Sequence, residues 1–227
     1  WSLDYHLKSQ AQPLELRTVK ANFQAGIGVG QTVRCLITRQ GEYRVAIHLE
    51  TAGTPAAWIE ISWNPLRHHW PDTLPKTSPE PEKCRERSIE EVAAVSGNIA
   101  LYFSGDRAGG LFPNLTRVLP AMQLADLLAT TRLVGMECPG HHSIYSSLNL
   151  AFFSDNAGGS NLSYHVTDCN TRLALVSMDV EAPGMKGQVK AFLRPKPQVQ
   201  ATFTDIRRQV ESEEFSAQRA LIVGGSR

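Results

Sequence analysis

The sequence predicts an α+β fold of two tandem units, each a helix packed on an antiparallel β-sheet. In the first half, alternating apolar residues over 35–65 indicate two strands around a turn and a third strand that ends at a proline. The same succession of strand, turn, strand and proline returns over 166–195. A run with apolar residues at helical spacing, 116–135, precedes this second set of strands. Two copies of one small α+β unit account for all three observations.

The two halves match at a constant distance along the chain. The segments VKANF and NLAFF end at Phe23 and Phe153, which are 130 residues apart. The third strands close at Pro65 and Pro195, again 130 residues apart. A single long repeat indicates duplication of one domain, because a solenoid needs several short repeats.

Both hairpins have a turn signal between their strands. We expect the first turn at Gln40-Gly41 and the second at Cys169-Asn170. The segments RVAI, from Arg44, and RLAL, from Arg172, then match at a spacing of 128, which implies a gap of two residues between the repeats.

The helix of the second unit is predicted over 116–135. Met122, Leu124 and Leu128 fall on helical spacing, and Gly135 is a typical helix end. Ahead of the first set of strands only WSLDYHLKSQ is present, so the first helix is expected to be cut at the start of this chain.

These signals divide the chain into five parts. Proline-rich and charged composition marks the connecting segments. The parts are the C-terminal portion of the first unit (1–66), a proline-rich linker (67–87), the second unit (88–195), a charged connector (196–218) and an apolar segment that runs into Gly-Gly-Ser-Arg (219–227).

The composition excludes several classes of protein. The chain is 42% hydrophobic and 20% charged, and its net charge of +1 comes from scattered basic residues, which excludes a nucleic-acid binder. Apolar runs of about four residues are far shorter than the ~20 that a membrane-spanning helix needs. The four cysteines form no CxxC pair, which argues against a zinc knuckle and predicts reduced thiols in a cytoplasmic protein.

Three segments resemble one family. YFSGDRAGG (102–110), GIGVGQTV (26–33) and LVGMECPGHHSIYSSLNLAFF (133–153) are similar to MaoC-like enoyl hydratases and dehydratases, of the kind fused to a C-terminal short-chain dehydrogenase/reductase. The resemblance covers roughly residues 1–195 and implies a double hot-dog fold. The segment 219–227 resembles the first strand and glycine turn of such a reductase domain.

The resemblance also implies an activity. These enzymes add water to, or remove it from, acyl thioesters carried on coenzyme A or an acyl carrier protein, in fatty-acid or polyketide-like metabolism. The reaction needs a base, an acid and hydrogen-bond donors for the enolate oxygen. No metal or organic cofactor is expected in this chain, and NAD(P) is expected only if a full reductase domain follows Arg227. A homo-oligomer, or contact with that reductase domain, is a further expectation.

Asp106 is the first candidate catalytic residue that the resemblance implies. It follows Ser-Gly in the family's motif, and Gly109 and Gly110 are candidate substrate contacts. The family's Asn-Pro is missing, and Leu111 stands where its histidine is expected. A turn-forming role alone would also explain Asp106.

His141, His142 and Ser143 form the second candidate cluster. Histidine titrates near neutral pH and so suits acid or base chemistry. In a strand the two histidines would face opposite sides, and the resemblance favours His142 as the catalytic one, with Ser143 contacting substrate. A surface or packing role is the alternative. The adjacent pair His68-His69 is interpreted as part of the solvated linker.

Two other functions remain open. The incomplete motif after Asp106 is also consistent with a non-catalytic half that binds acyl groups or has a structural role in a larger multifunctional protein. A hot-dog thioesterase would use similar residues on the same fold.

Overall fold

A computed structural model gives the structure of most of the chain. The chain divides into two compact units, Trp1–Arg194 and Pro195–Arg227. The pair His68-His69 and residues 220–227 of the predicted reductase strand lie outside the described residues. The described residues are 2–10, 12–67, 83–153, 159–197, 199, 201–211, 213–214 and 216–219.

Within the described residues, the first unit contains one sheet of nine strands. Every pair of neighbouring strands is antiparallel. The strands are β1 (Leu14–Phe23), β2 (Val33–Gly41), β3 (Arg44–Thr51), β4 (Thr54–Pro65), β5 (Ser96–Ala100), β6 (Ser143–Phe152), β7 (Asn161–Asn170), β8 (Leu175–Ala182) and β9 (Met185–Leu193).

The order of the strands shows two related halves joined at their centre. The order is β2-β3-β4-β1-β6-β9-β8-β7-β5, so each half has the same four-strand arrangement and the second half adds β5 at its edge. The halves meet where β1 pairs with β6, from Thr18 opposite Ala151 to Asn22 opposite Ser147. The predicted α+β double hot-dog fold is confirmed.

The expected match between Arg44 and Arg172 is wrong. Arg44 opens β3, whereas β8 opens only at Leu175. The side-chain amide oxygen of Asn170 accepts a hydrogen bond from the Leu173 N–H at 3.0 Å, which stabilises a longer turn over 171–174. This turn has two more residues than Glu42-Tyr43 in the first hairpin, so the second half carries an insertion.

The predicted helix over 116–135 is broken at a proline. Leu119 has an extended backbone and Pro120 caps the next helix, so the helical residues fall into separate segments. The helices of this unit are α1 (Ser2–His6), followed by a 3-10 turn (Leu7–Ser9), α2 (Ile89–Val92), α3 (Gly105–Leu111), α4 (Pro113–Val118) and α5 (Ala121–Arg132), followed by a π-helical turn (Leu133–Glu137).

The core of the unit lies between α5 and one face of the sheet. Met122, Leu124 and Ala129 of α5 are buried in the same cluster of side chains as the inward residues of the central strands. Polar contacts add to this packing, because the Tyr145 hydroxyl of β6 lies 2.8 Å from the Thr130 hydroxyl of α5. Helix α5 is therefore fixed across the join between the two halves.

The second unit contains one helix among its described residues, α6 (Phe203–Gln209). The side chain of Thr202 caps it by accepting a hydrogen bond from the Asp205 N–H at 3.2 Å. No helix in the described part of the chain is long and apolar enough to cross a membrane.

Candidate functional site

Asp126 is a buried carboxylate in the middle of α5. Its exposed fraction is 0%, and no donor among the described residues makes a hydrogen bond of normal geometry with either carboxylate oxygen, although the backbone N–H of Gly184 approaches it more loosely. An unpaired buried carboxylate is costly to a fold, so such a group is a candidate for chemistry.

The surroundings of Asp126 favour its protonated form. Burial raises the pKa of its carboxyl group from 3.8 to about 7, and the backbone N–H of Gly184, in the turn between β8 and β9, lowers it by a smaller amount. A carboxyl group with a pKa near 7 can both accept and donate a proton at neutral pH.

The sequence interpretation overlooked Asp126, although a signal was present. Asp126 lies four residues after Met122, three before Ala129 and seven before Leu133, so all four residues are on one helix face. A carboxylate in the apolar stripe of a helix is unusual, and this position could have been selected on that ground.

The two candidate histidines lie in a turn before β6. Gly140 and His142 have positive φ angles of 93° and 67°, and the rings of His141 and His142 are 3.9 Å apart between centroids. The expectation that the histidines face opposite sides is wrong, because alternation applies to strands and β6 begins only at Ser143.

The segment before α2 packs directly against this turn. The His141 N–H donates to the Arg85 carbonyl at 2.8 Å, and the Arg85 N–H donates to the Met136 carbonyl, also at 2.8 Å. A Cβ atom on Gly140 would lie 2.2 Å from the Arg85 carbonyl oxygen, so only glycine permits this approach.

Glu137 holds the same segment through its side chain. Arg85 Nε donates to one carboxylate oxygen at 2.8 Å, and the Tyr164 hydroxyl donates to the other at 3.0 Å. Arg87 Nη2 lies 3.5 Å from the carboxylate. Burial alone would raise the pKa of Glu137, but the hydrogen bonds from Arg85 and Tyr164, together with the positive charges of Arg85 and Arg87, lower the pKa below its usual value. The carboxylate is therefore ionised and paired.

Ser143 is hydrogen-bonded to the start of the π-helical turn and to the turn before β6. Its hydroxyl donates to the Val134 carbonyl at 2.5 Å, and its N–H donates to the Gly140 carbonyl at 3.2 Å. The predicted contact of Ser143 with substrate stays a prediction.

Asp106, Gly109 and Gly110 lie together on the short helix α3. Asp106 is exposed in the first turn of α3, and Ser104 caps that helix. A Cβ atom on Gly109 would lie 3.9 Å from Thr116 Oγ1, and one on Gly110 would meet open space. In the part of the chain that the structure describes, no hydrogen bond or ion pair joins Asp106 to His141 or His142, and its catalytic role stays a prediction.

Asp126 and the histidine pair lie at opposite ends of β9. Gly184, beside Asp126, immediately precedes this strand, whereas the His142 carbonyl accepts a hydrogen bond from the Arg194 N–H, just after it, at 3.0 Å. Ten residues of extended chain span roughly 30 Å. The structure therefore contains two separate candidate sites.

A polar groove of about 500 Å³ lies on the other face of the sheet. Gln188 Nε2 donates to Asp179 there at 3.2 Å, and His165 Nε2 lies 3.9 Å from the same carboxylate. These side chains alternate along their strands with the buried residues that face α5, so the groove does not reach Asp126.

No protein-family model and no curated protein matches the sequence. Among solved structures, a MaoC-like dehydratase matches at 10% identity and a TM-score of 0.45 over 80% of this chain and 76% of its own. The dehydratase domain of PpsC from Mycobacterium tuberculosis, in complex with C12:1-CoA, matches at 10% identity and a TM-score of 0.43 over 85% and 81%. The tesB protein of Mycobacterium avium subs paratuberculosis matches at 11% identity and 0.41 over 85% and 84%. Because these scores are below 0.5, the assignment of the fold rests on the strand order and helix packing described above.

Proposed function

We propose that this chain is a hydratase or dehydratase module that acts on acyl thioesters, with Asp126 as its general acid and base. The observation that carries the proposal is the buried, unpaired carboxyl group of Asp126, whose pKa of about 7 suits proton transfer in both directions. The sequence resemblance to acyl-thioester hydratases supplies the class of substrate.

One carboxyl group can serve both proton transfers of a dehydration. As a carboxylate, Asp126 takes the proton from carbon 2 of a 3-hydroxyacyl thioester. The C2–H electrons form the double bond to carbon 3, the C3–O bond breaks, and the acid form of Asp126 protonates the departing hydroxyl to give water. Hydration is the reverse of these steps, and both start from a group that changes charge near neutral pH.

Substrate access sets a condition on this mechanism. Because Asp126 is fully buried, the acyl chain must enter between α5 and the turn that carries Gly184. The apolar side chains that bury Asp126 would then contact the acyl chain and exclude water during proton transfer.

The test is an assay of the full chain with enoyl-CoA and 3-hydroxyacyl-CoA thioesters in both directions. Asp126→Asn should lower kcat by about 10²- to 10⁴-fold, the usual cost of losing a general acid or base. The pH profile of kcat/KM should show an ionisation near 7 that the variant lacks. Absence of hydration and of dehydration would reject the proposal.

Parallel variants locate the chemistry. Asp106→Asn and His142→Ala test the residues implied by the family resemblance. A loss of activity confined to the Asp126→Asn variant would assign the proton transfers to α5. A loss of activity confined to the other two variants would retain the proposed reaction but move its site to Asp106 and His142, in the segments that resemble the family at 102–110 and 133–153.

A non-catalytic acyl-binding role is the second candidate. It is favoured by Leu111, which replaces the expected histidine and is 51% exposed. This role predicts acyl-CoA binding without turnover, unchanged by Asp106→Asn. Release of free thiol from acyl-CoA would instead identify a thioesterase.

A cytoplasmic location, and fusion to an NAD(P)-dependent reductase after Arg227, remain parts of the proposal.

A further inference from the structure

We propose that Glu86, His141 and His142 form a binding site for a divalent transition-metal ion, with Zn²⁺ as the representative ligand. One possible ligand atom from each of these three side chains lies within 4.8 Å of the other two. The proposal replaces the sequence-based expectation that the chain has no metal site.

The backbone of the turn brings the two imidazoles together. Adjacent residues in a strand point to opposite sides, but the positive φ angle of His142 places its ring 3.9 Å, between centroids, from that of His141. A non-glycine residue in this conformation is uncommon and often marks a functional position. The turn thus presents two imidazole ligands in one direction.

A second segment supplies the carboxylate. Glu86 follows Arg85, whose N–H and carbonyl are both hydrogen-bonded, to Met136 and His141 respectively. These bonds fix the backbone next to Glu86 against the histidine turn. The fold therefore holds together the backbone segments that carry the three ligands, which lowers the entropic cost of binding an ion.

The neighbouring positive charges are compensated. Arg85 and Arg87 flank Glu86, and both contact the ionised Glu137 carboxylate at 2.8 and 3.5 Å. Their guanidinium groups are thus drawn toward Glu137, which reduces their repulsion of a cation at Glu86.

The ligand set selects the class of metal. Imidazole nitrogens suit Zn²⁺, Cu²⁺ and Ni²⁺, whereas Ca²⁺ and Mg²⁺ prefer oxygen ligands. Two histidines and one carboxylate, with water in the fourth position, form a common tetrahedral set for Zn²⁺. Glu86 and His141 are exposed and His142 is half-buried, so an ion can reach all three from solvent.

A metal at this site would link the segment before α2 to the turn before β6. The site lies at the opposite end of β9 from Asp126, so metal binding does not depend on the proposed acid and base chemistry. Its test needs no substrate and can fail or succeed separately from the enzyme assay.

The experiment is calorimetric titration of the full chain, without an affinity tag, with ZnCl₂ in a non-chelating buffer. The variants are Glu86→Gln, His141→Ala and His142→Asn, the last chosen because asparagine tolerates a positive φ angle. The matched control is His165→Ala, an exposed histidine on β7. We expect one ion to bind per chain. The affinity should be at least about tenfold lower in each of the three variants, because even the loss of a residue that only hydrogen-bonds to a metal ligand costs about 10- to 100-fold. The affinity of the control should be unchanged.

Two further measurements keep the outcome decisive. Thermal unfolding with and without Zn²⁺ should show a rise in Tm for the wild type and the control that the three variants lack. Titration with Co²⁺ should give the visible spectrum of nitrogen and oxygen ligands without a thiolate charge-transfer band. Equal affinity of all four variants, or a thiolate band from a cysteine, would overturn the proposal.

Discussion

The side chain of Gln123 pairs with both backbone polar groups of Leu16. Its amide oxygen accepts a hydrogen bond from the Leu16 N–H at 2.6 Å, and its amide nitrogen donates to the Leu16 carbonyl at 3.1 Å. The pairing of β1 with β6 covers only Thr18 to Asn22, so Leu16 lies beyond it. Helix α5 therefore continues the hydrogen-bonding of β1 where the neighbouring strand has ended.

Replacing Gln123 with leucine should destabilise the protein. The change keeps a side chain of similar size but leaves the N–H and carbonyl of Leu16 buried without a partner. Each unsatisfied group costs about 1 to 3 kcal/mol, so we expect the two together to lower the free energy of unfolding by urea by about 2 to 6 kcal/mol. Gln40→Leu, at an exposed position of β2, is the control and should change stability little. An equal effect of both variants would contradict the assigned pairing.

Removing the charge of Asp126 should change how stability depends on pH. The folded pKa of about 7 lies above the ordinary value of 3.8, so the wild type is most stable below pH 4 with respect to this group. That contribution is lost as the pH rises through 7, because the unfolded chain ionises more readily. The difference between these two pKa values corresponds to roughly 4 kcal/mol in the free energy of unfolding.

Asp126→Asn cannot ionise and should lack this loss. Urea unfolding between pH 4 and pH 8 should show the variant gaining stability relative to wild type as the pH rises. Asp106→Asn, at an exposed position, is the matched control and should follow the wild-type curve. Parallel curves for wild type and Asp126→Asn would mean that the folded pKa is not raised.

Gly187 of β9 should not tolerate a side chain. A Cβ atom there would lie 2.1 Å from the Asn149 carbonyl oxygen of β6, far inside contact distance. Gly187→Ala must therefore displace one of two central strands, and we expect a loss of about 2 kcal/mol or more. The control is Gly41→Ala at the end of β2, where the nearest atom would be 3.6 Å away. The comparison is made by urea unfolding, and equal stability of both variants would refute the close approach.

The thiols should differ widely in reactivity. Cys138 is fully buried, and burial raises its thiol pKa to about 11, whereas Cys35 is exposed. At pH 8 roughly one Cys138 thiol in a thousand would be ionised, and alkylation requires the thiolate. Mass spectrometry after a short iodoacetamide pulse should find Cys35 modified and Cys138 unmodified until urea is added. Cys35→Ser should remove the early modification, and labelling of Cys138 in the folded protein would contradict this prediction.

The duplicated fold could be predicted from the sequence because strand patterns and prolines repeat. Val45 and Val176, both fully buried, occupy equivalent places on β3 and β8. The register between the halves could not be predicted in detail, because the side chain of Asn170 stabilises a longer turn than the sequence pattern implies. Strand β5 was also missed, since its short sequence SGNIA has a weak strand pattern and, among the described strands, pairs with β7 alone.

The candidate sites were harder to predict than the fold. The orientation of His141 and His142 depends on positive φ angles at Gly140 and His142, and no alternation rule gives these. The environment of Asp126 depends on strands that are distant in the sequence, which bury its carboxylate and offer it only the loosely placed backbone N–H of Gly184. Both features arise from tertiary packing and become visible only when the elements are assembled.

The pairing of β1 with β6 has a consequence for experiments that cut the chain. Strands β1 and β6 are interior only because each covers the other, so a break within 67–87 followed by separation would expose an unpaired edge on each fragment. The natural complement of each edge is the other fragment. Residues 1–66 and 67–194, produced as two polypeptides in one cell, should therefore reassociate into a single nicked protein, whereas either fragment produced alone should aggregate.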